Sequence, residues 1–170
     1  MPLCLFASDL HGHGDRYEKL FAAMERERPA AVFLGGDLLP SGLWAMTADG
    51  PGDEEFLDRI LIPGLTEVRR ALGAAFPRVF LILGNDDARA VESRLLADES
   101  LGLWRYAHDR RIEWAGGDVY GYAYVPPTPF LNKDWERYDV SRFVDPGCTP
   151  PDQGHRTVPV SERELEYGTI

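Results

Sequence analysis

Short apolar runs alternate with amphipathic stretches along the first half of the chain. Three runs of strand length lie at 3–7, 30–34 and 79–83, and a polar or glycine-rich segment closes each of them. After the first run, apolar side chains recur with the spacing of one helical face, at Tyr17, Leu20, Phe21 and Met24. Near-continuous apolar strands that alternate with helices are typical of βαβ units, whose sheet is covered on both faces. The pattern therefore predicts an α/β fold.

Three further helices follow from the same kind of pattern. Apolar positions within 56–72 indicate a helix that is broken or kinked at Pro63-Gly64, because proline has no N–H to donate. Spaced apolar residues at 91–96 mark a short helix after the third strand. Near the end, Ser161 and Glu164 have the spacing of a capping box, which predicts the start of a last helix.

The second half of the chain has a different composition. Residues 111–114 and 119–125 flank Gly116-Gly117 and predict a hairpin. Seven of the 13 prolines lie within 126–159, which excludes a continuous helix or a central strand there. Because this segment also carries Phe130, Trp135, Tyr138 and Phe143, we expect a loop pinned by aromatic side chains. Such a loop lines a site or an interface, or else covers an apolar edge as a lid. We interpret 1–170 as one domain and 126–160 as its Pro-rich loop.

Charge restricts the classes of partner. The 170 residues include 18 Lys+Arg and 28 Asp+Glu, which give a net charge of −10. A surface this acidic repels phosphate backbones, so nucleic acid is disfavoured as a partner. A phosphate-bearing substrate needs a local reversal of charge, for example by a metal ion.

Cysteine usage and the length of the apolar runs indicate the cellular compartment. The two cysteines lie far apart and have no metal-binding spacing, which favours reduced thiols. The first apolar run is too short for a signal peptide and lacks a basic segment before it, and no stretch approaches the roughly 20 apolar residues that span a bilayer. We expect a cytoplasmic protein that has no membrane partner.

An acidic or polar cluster follows each of the three predicted strands. The clusters are Asp9-Leu10-His11-Gly12-His13-Gly14, Gly35-Gly36-Asp37 and Gly84-Asn85-Asp86-Asp87. Because the carboxyl ends of parallel strands meet at one edge of a sheet, we expect these clusters to converge there. Carboxylate, imidazole and amide groups together suit Mn, Fe, Zn or a similar divalent ion.

The three clusters taken in order resemble the motifs of the calcineurin-like metallophosphoesterase family. The matching residues are Asp9-x-His11, Gly36-Asp37 and Gly84-Asn85-x-Asp87; the family pattern continues with a lone His and a G-H-x-H element. The resemblance implies a layered αββα sheet core, here apparently incomplete, with the Pro-rich loop as an insertion. It further implies two divalent metal ions, with Mn favoured over Fe, Zn and Ni.

The resemblance also implies a role for each matching residue. Asp9 and His11 would bind the first metal ion, and Asp37 would bridge both ions. Asn85 would bind the second ion and touch the substrate phosphate, which His13 would also contact. The implied reaction is hydrolysis of a small phosphomonoester or phosphodiester by a metal-bound hydroxide at a dinuclear site.

The sequence departs from the family pattern in two places. Asp86 occupies the catalytic position where the family has His, and an ionised Asp beside two cations is a poor general acid. The substrate then has a good leaving group, another residue supplies the proton, or activity is low. The lone His and the G-H-x-H element are absent, so that His108 and His155 are the remaining candidate ligands.

Other interpretations of these residues stay open. Asp9 and Asp37 could be helix N-caps, although Asp15 is the better cap for the first helix. Asp86 and Asp87 could start the following helix.

Other interpretations of the whole chain stay open as well. The missing ligands favour, as an alternative, a catalytically incompetent binding or assembly module. A nuclease of the same fold is disfavoured by the charge. The incomplete motif set predicts a chain that is either truncated or completed by a second copy of itself, because half a sheet leaves a strand edge exposed.

Overall fold

The main sheet has four parallel strands in the order β1–β2–β3–β4. The structure is a computed structural model that describes residues 2–40 and 52–170. The strands are β1 (Cys4–Ala7), β2 (Ala31–Gly35), β3 (Arg78–Ile82) and β4 (Arg105–Tyr106). The first three strands and their parallel pairing confirm the α/β prediction. The two-residue β4, which pairs with β3, was not predicted.

Helices follow each of the first three strands. They are α1 (Gly14–Glu27), α2 (Asp53–Phe56), α3 (Ile62–Leu72) and α4 (Glu92–Ala97). A π-helical turn at Leu57–Leu61 joins α2 to α3, so the α-helix is interrupted just before the predicted kink. Pro63 lies in the first turn of α3, where its missing N–H costs little. Within the described residues, none of the helices is long and apolar enough to cross a membrane.

One face of the sheet is covered by α1 and α3. Tyr17, Leu20 and Met24 of α1 are buried, as their helical spacing predicts. They share one apolar core with α3 and with the strand residues that point the same way; these include Leu65, Val68, Val32, Leu34, Val79 and Leu81. This core holds α1 and α3 against the sheet.

The opposite face is covered by an antiparallel hairpin, β5 (Arg111–Trp114) and β6 (Gly117–Tyr120). The ring of Trp114 packs edge-on against Phe33 and Phe80, at centroid distances of 6.1 and 6.0 Å. Phe6 lies in register with Phe33 on the next strand. Phe80 is 2% exposed and Phe6 is 72% exposed. The expected cover on both faces therefore holds over β3 but not over the edge strand β1.

The second hairpin strand is shorter than predicted, since it ends at Tyr120 rather than at residue 125. The next residue, Gly121, passes close to the sheet: a Cβ there would lie 2.5 Å from Cγ2 of Ile82. Its backbone pairs instead with Ala107 and Asp109, just after β4, which ends the pairing of the hairpin.

The Pro-rich loop has a buried interior although it contains isolated bridges in place of regular strands. Trp135 and Tyr138 are buried, as expected for side chains that anchor the loop. Phe130 and Phe143 are exposed, so they do not anchor it. A fully buried ion pair joins Lys133 Nζ to Glu136 Oε2 at 2.5 Å. The last predicted helix is confirmed as α5 (Glu162–Tyr167), with the Ser161 hydroxyl accepting the Glu164 N–H.

Candidate metal centre

The loops after β1 and β2 run side by side beyond the sheet. Backbone N–H groups of the first loop donate to carbonyl oxygens of the second, from Asp9 to Gly36 at 3.1 Å and from His11 to Asp37 at 2.8 Å. The loop after β3 joins them, because the Asp86 N–H donates to Asp37 Oδ1 at 2.9 Å. The three motifs thus meet at one edge of the sheet, as their positions predict.

Tight backbone geometry brings these loops together. Asp9, His11 and Asp37 have φ angles of 57°, 49° and 52°, in the left-handed region that non-glycine residues rarely adopt. Non-glycine residues in this region are strained, and such strain clusters at functional sites. A Cβ on Gly36 would lie 2.7 Å from the Gly84 Cα, so the second and third loops approach each other more closely than any side chain allows.

The side chains of Asp9, His11 and Asp37 form one cluster. One ligating atom from each lies within 4.8 Å of the other two. Burial raises the pKa of Asp37, and the carboxylates of Asp86 and Asp9 raise it further; the Asp86 N–H and His11 lower it. The cluster therefore combines two carboxylates and an imidazole, and its negative charge is only partly compensated. This arrangement suits a divalent cation.

Asp86 borders the same cluster. Its Oδ2 lies 3.4 Å from Nδ1 of His11, and both side chains are about one-third exposed or less. A carboxylate beside one ring nitrogen of a histidine leaves the other nitrogen for a metal ion, an arrangement common around ligating histidines.

The buried Asp87 side chain links the loops that follow β2 and β3. Its carboxylate is 0% exposed and accepts N–H groups from Leu38 at 3.1 Å, Leu39 at 2.8 Å and Gly84 at 2.8 Å. Burial raises the pKa of Asp87 to about 7, although the three N–H donors lower it. Asp87 does not start the following helix, which begins with a 3₁₀ turn at Arg89–Val91.

The remaining candidate residues lie at different distances from the cluster. Asn85 precedes Asp86 in the chain, is half-buried, and accepts the Asn132 side-chain N–H on its backbone oxygen at 3.3 Å. His13 is half-buried at the N-cap of α1. In the described part of the chain, neither His108 nor His155 belongs to the cluster.

The two later histidines have other environments. His108 is buried and accepts the Ala123 N–H on Nδ1 at 3.0 Å, and the rings of Tyr124 and Trp135 each lie 5.0 Å away. Burial lowers the pKa of His108, so it is a neutral core residue. His155 is exposed in the Pro-rich loop, where its backbone pairs with that of Asn132.

The N-cap interpretations of the acidic residues are wrong. Asp9 and Asp37 lie outside the helices, and α1 begins after His13. Asp15 lies inside the first turn of α1, where it accepts from Lys19 at 3.0 Å, because the helix starts two residues earlier than a cap at Asp15 would place it. Neither Asp9 nor Asp37 therefore caps a helix.

Sequence reasoning missed the residues that support the centre. Arg16 donates to the Asp9 carbonyl at 2.5 Å, and Trp135 Nε1 donates to the Asp87 carbonyl at 3.0 Å. The aromatic content of the Pro-rich loop indicates that it lines a site or an interface or covers an apolar edge, but no local pattern shows which loop it meets.

Comparison with known proteins agrees with this geometry. A sequence model of the calcineurin-like phosphoesterase family matches residues 3–149. No curated protein matches the chain. Four solved chains match it. One of them, described only as a crystal structure, is 19% identical to this chain, with a TM-score of 0.44. The match covers 72% of this chain and 53% of the other chain. The chain spans about half the length of that structure.

The family match covers most of the chain and all three motifs. This chain belongs to the calcineurin-like phosphoesterase family. The parallel sheet with its helices is consistent with the core of that family, and the Asp9, His11 and Asp37 cluster is a candidate metal site within it.

Proposed function

We propose that this chain is a metal-dependent phosphoesterase that hydrolyses a small phosphomonoester or phosphodiester. Asp9 and His11 would hold a first divalent cation, Asp37 would bridge to a second, and Asn85 would bind that second cation. The observation that carries the proposal is the cluster of Asp9, His11 and Asp37, whose ligating atoms lie within 4.8 Å of one another and which the third strand-end motif joins through the Asp86 N–H. Mn²⁺ is the first cation to test.

The residues of the centre would divide the work as follows. Bound cations would polarise the phosphoryl oxygens and lower the pKa of a water molecule, which is the chemistry that ester hydrolysis needs. Asp37 has two carboxylate oxygens and therefore suits a bridging position. His13 and Asn85 would contact the substrate phosphate.

Asp86 would orient the His11 ring rather than protonate the leaving group. Its carboxylate lies against His11, and an ionised carboxylate beside cations has no proton for a leaving group. We therefore propose that solvent supplies the proton and that the substrate carries a good leaving group.

A metal titration followed by a hydrolysis assay tests the proposal. The chain is stripped of metal, titrated with Mn²⁺, and assayed with p-nitrophenyl phosphate and with bis-p-nitrophenyl phosphate. We expect Mn²⁺ binding and Mn²⁺-dependent release of nitrophenol, and the preferred ester shows the substrate class. Asp9→Asn and Asp37→Asn should lose both properties. Asp15→Asn is the matched control, because Asp15 lies just after the first motif and outside the cluster.

A second candidate function is a cation-binding module without hydrolytic activity. Asp86 at the family's histidine position and the confinement of His108 to the core favour it. Tight Mn²⁺ binding that Asp37→Asn abolishes, with no turnover of either ester, would select this alternative. Absence of Mn²⁺ binding would refute both candidates.

A further inference from the structure

Four consecutive residues of the Pro-rich loop, Asn132 to Trp135, lie against the loop that carries Asn85. Asn132 Nδ2 donates to the Asn85 carbonyl at 3.3 Å, and Trp135 Nε1 donates to the Asp87 carbonyl at 3.0 Å. Between them, Asp134 Oδ2 accepts the Arg89 N–H at 2.8 Å. We call Asn132 to Trp135 the clamp segment, because it binds the third motif loop at two points and the 3₁₀ turn that follows it at a third.

The clamp segment is itself held firmly. Lys133 and Trp135 are 0% exposed, and Asp134 is 1% exposed. Lys133 is paired with Glu136 and also donates to the Thr128 carbonyl at 2.9 Å. Asp134 Oδ1 accepts the Thr157 N–H at 2.8 Å, which ties the segment to the far side of the Pro-rich loop. Buried and paired side chains have little rotamer freedom, so the clamp segment is a rigid support.

The motif loop is bound on its opposite side by the second motif. Asp37 accepts the Asp86 N–H, and the Asp87 carboxylate binds the N–H groups of Leu38 and Leu39. Asn85 therefore lies in a loop that is fixed from both sides. A metal ligand must be placed within a few tenths of an ångström, and groups that orient ligands commonly change metal affinity about 10–100-fold.

We propose that Asn132 and Trp135 are positioning residues, which hold Asn85 where it meets the second cation and the substrate phosphate. The inference rests on the proposed function, and it makes the Pro-rich loop part of the centre instead of a cover for an apolar edge. The clamp segment touches backbone atoms of the motif loop, so its effect reaches the centre through the position of Asn85.

Two variants test the positioning role against a matched control. Trp135→Phe keeps an aromatic ring and removes the N–H donor, and Asn132→Ala removes the other donor. Trp114→Phe is the control, because Trp114 packs on Phe33 and Phe80 at the opposite face of the sheet. Each protein is titrated with Mn²⁺, and electron paramagnetic resonance distinguishes single Mn²⁺ ions from coupled pairs. Amide hydrogen exchange of residues 84–89 is followed in the metal-free proteins.

The expected result is selective. Both variants should bind the first Mn²⁺ within about twofold of the unmodified chain and the second about 10–100-fold more weakly, with loss of the coupled signal. Exchange at 84–89 should rise about fivefold or more, as the loss of one net hydrogen bond predicts. The control should match the unmodified chain in both measurements.

Failure of the clamp and failure of the proposed function give different results. Variants that bind two Mn²⁺ ions as tightly as the unmodified chain overturn the positioning role. An unmodified chain that binds fewer than two Mn²⁺ ions overturns the dinuclear site. Hydrogen exchange alone then tests whether the clamp segment restrains residues 84–89. Unchanged exchange at 84–89 in both variants overturns the clamp in that case.

Discussion

The close approach of the second and third motif loops makes Gly84→Ala a sensitive test of the candidate centre. A Cβ at position 84 would lie 2.3 Å from Asp37 Oδ1 and 2.4 Å from the Asp37 backbone nitrogen. Ordinary contact begins near 3.4 Å, so the two loops must separate by about 1 Å. Rotation of the Asp37 side chain cannot relieve the backbone contact. The φ angle of Gly84 is not positive, so any effect comes from the added methyl group alone.

The expected loss has two parts. Forcing a methyl group into a packed site costs about 1–3 kcal/mol of unfolding free energy, measured by urea denaturation. The Asp37 carboxylate moves with its backbone, so Mn²⁺ affinity should fall about 10–100-fold. Gly117→Ala in β6 is the matched control, because a Cβ there meets nothing nearer than 3.9 Å, and its stability should change by less than about 0.5 kcal/mol. A Gly84→Ala protein with unaltered Mn²⁺ affinity would refute the assignment of Asp37 to the centre.

Three other substitutions probe separate features. Asp87→Ala strands three buried N–H donors and should lower the unfolding free energy by about 3–5 kcal/mol; a loss below about 1 kcal/mol in urea denaturation would contradict this role. Lys133→Met leaves the buried Glu136 carboxylate without its cationic partner, although Thr128 still donates to it, and should lower the unfolding free energy by about 3–5 kcal/mol. Adding Glu136→Leu should recover much of the loss in melting temperature. Asp86→His restores the family motif and should raise turnover of alkyl phosphates relative to aryl phosphates, since a protonated imidazole can serve a poor leaving group; an unchanged ratio would count against this account of Asp86.

The strands and the meeting of their motifs were predictable because both follow from local pattern. Continuous apolar runs predict buried parallel strands, and parallel strands bring their carboxyl ends to one edge. This pattern alone predicts that Asp9, His11 and Asp37 lie together. The two residues of β4 are too few for a pattern, and one of them is the charged Arg105.

The support of the centre was not predictable, because it depends on contacts between distant residues. Asp87 binds backbone groups almost 50 positions earlier in the chain, and Trp135 binds Asp87 from 48 positions later. Neither residue differs in local pattern from a helix-starting acid or a core aromatic. The Pro-rich loop has no periodicity, so the sequence indicated that it is ordered but could not identify the surface it meets.

Charge at the centre also predicts an order of binding. The chain carries a net charge of −10, and the carboxylates of Asp9, Asp37 and Asp86 meet around a single imidazole. Burial is the main cause of the raised pKa of Asp37, and repulsion from the carboxylates of Asp86 and Asp9 raises that pKa further. A phosphate anion meets the same repulsion until a cation reverses the local charge. Inorganic phosphate should therefore bind only after Mn²⁺, which calorimetric titration with and without Mn²⁺ measures directly. Equal phosphate affinity in the metal-free protein would mean that the anion binds elsewhere, and the carboxylate cluster would then have no part in substrate recognition.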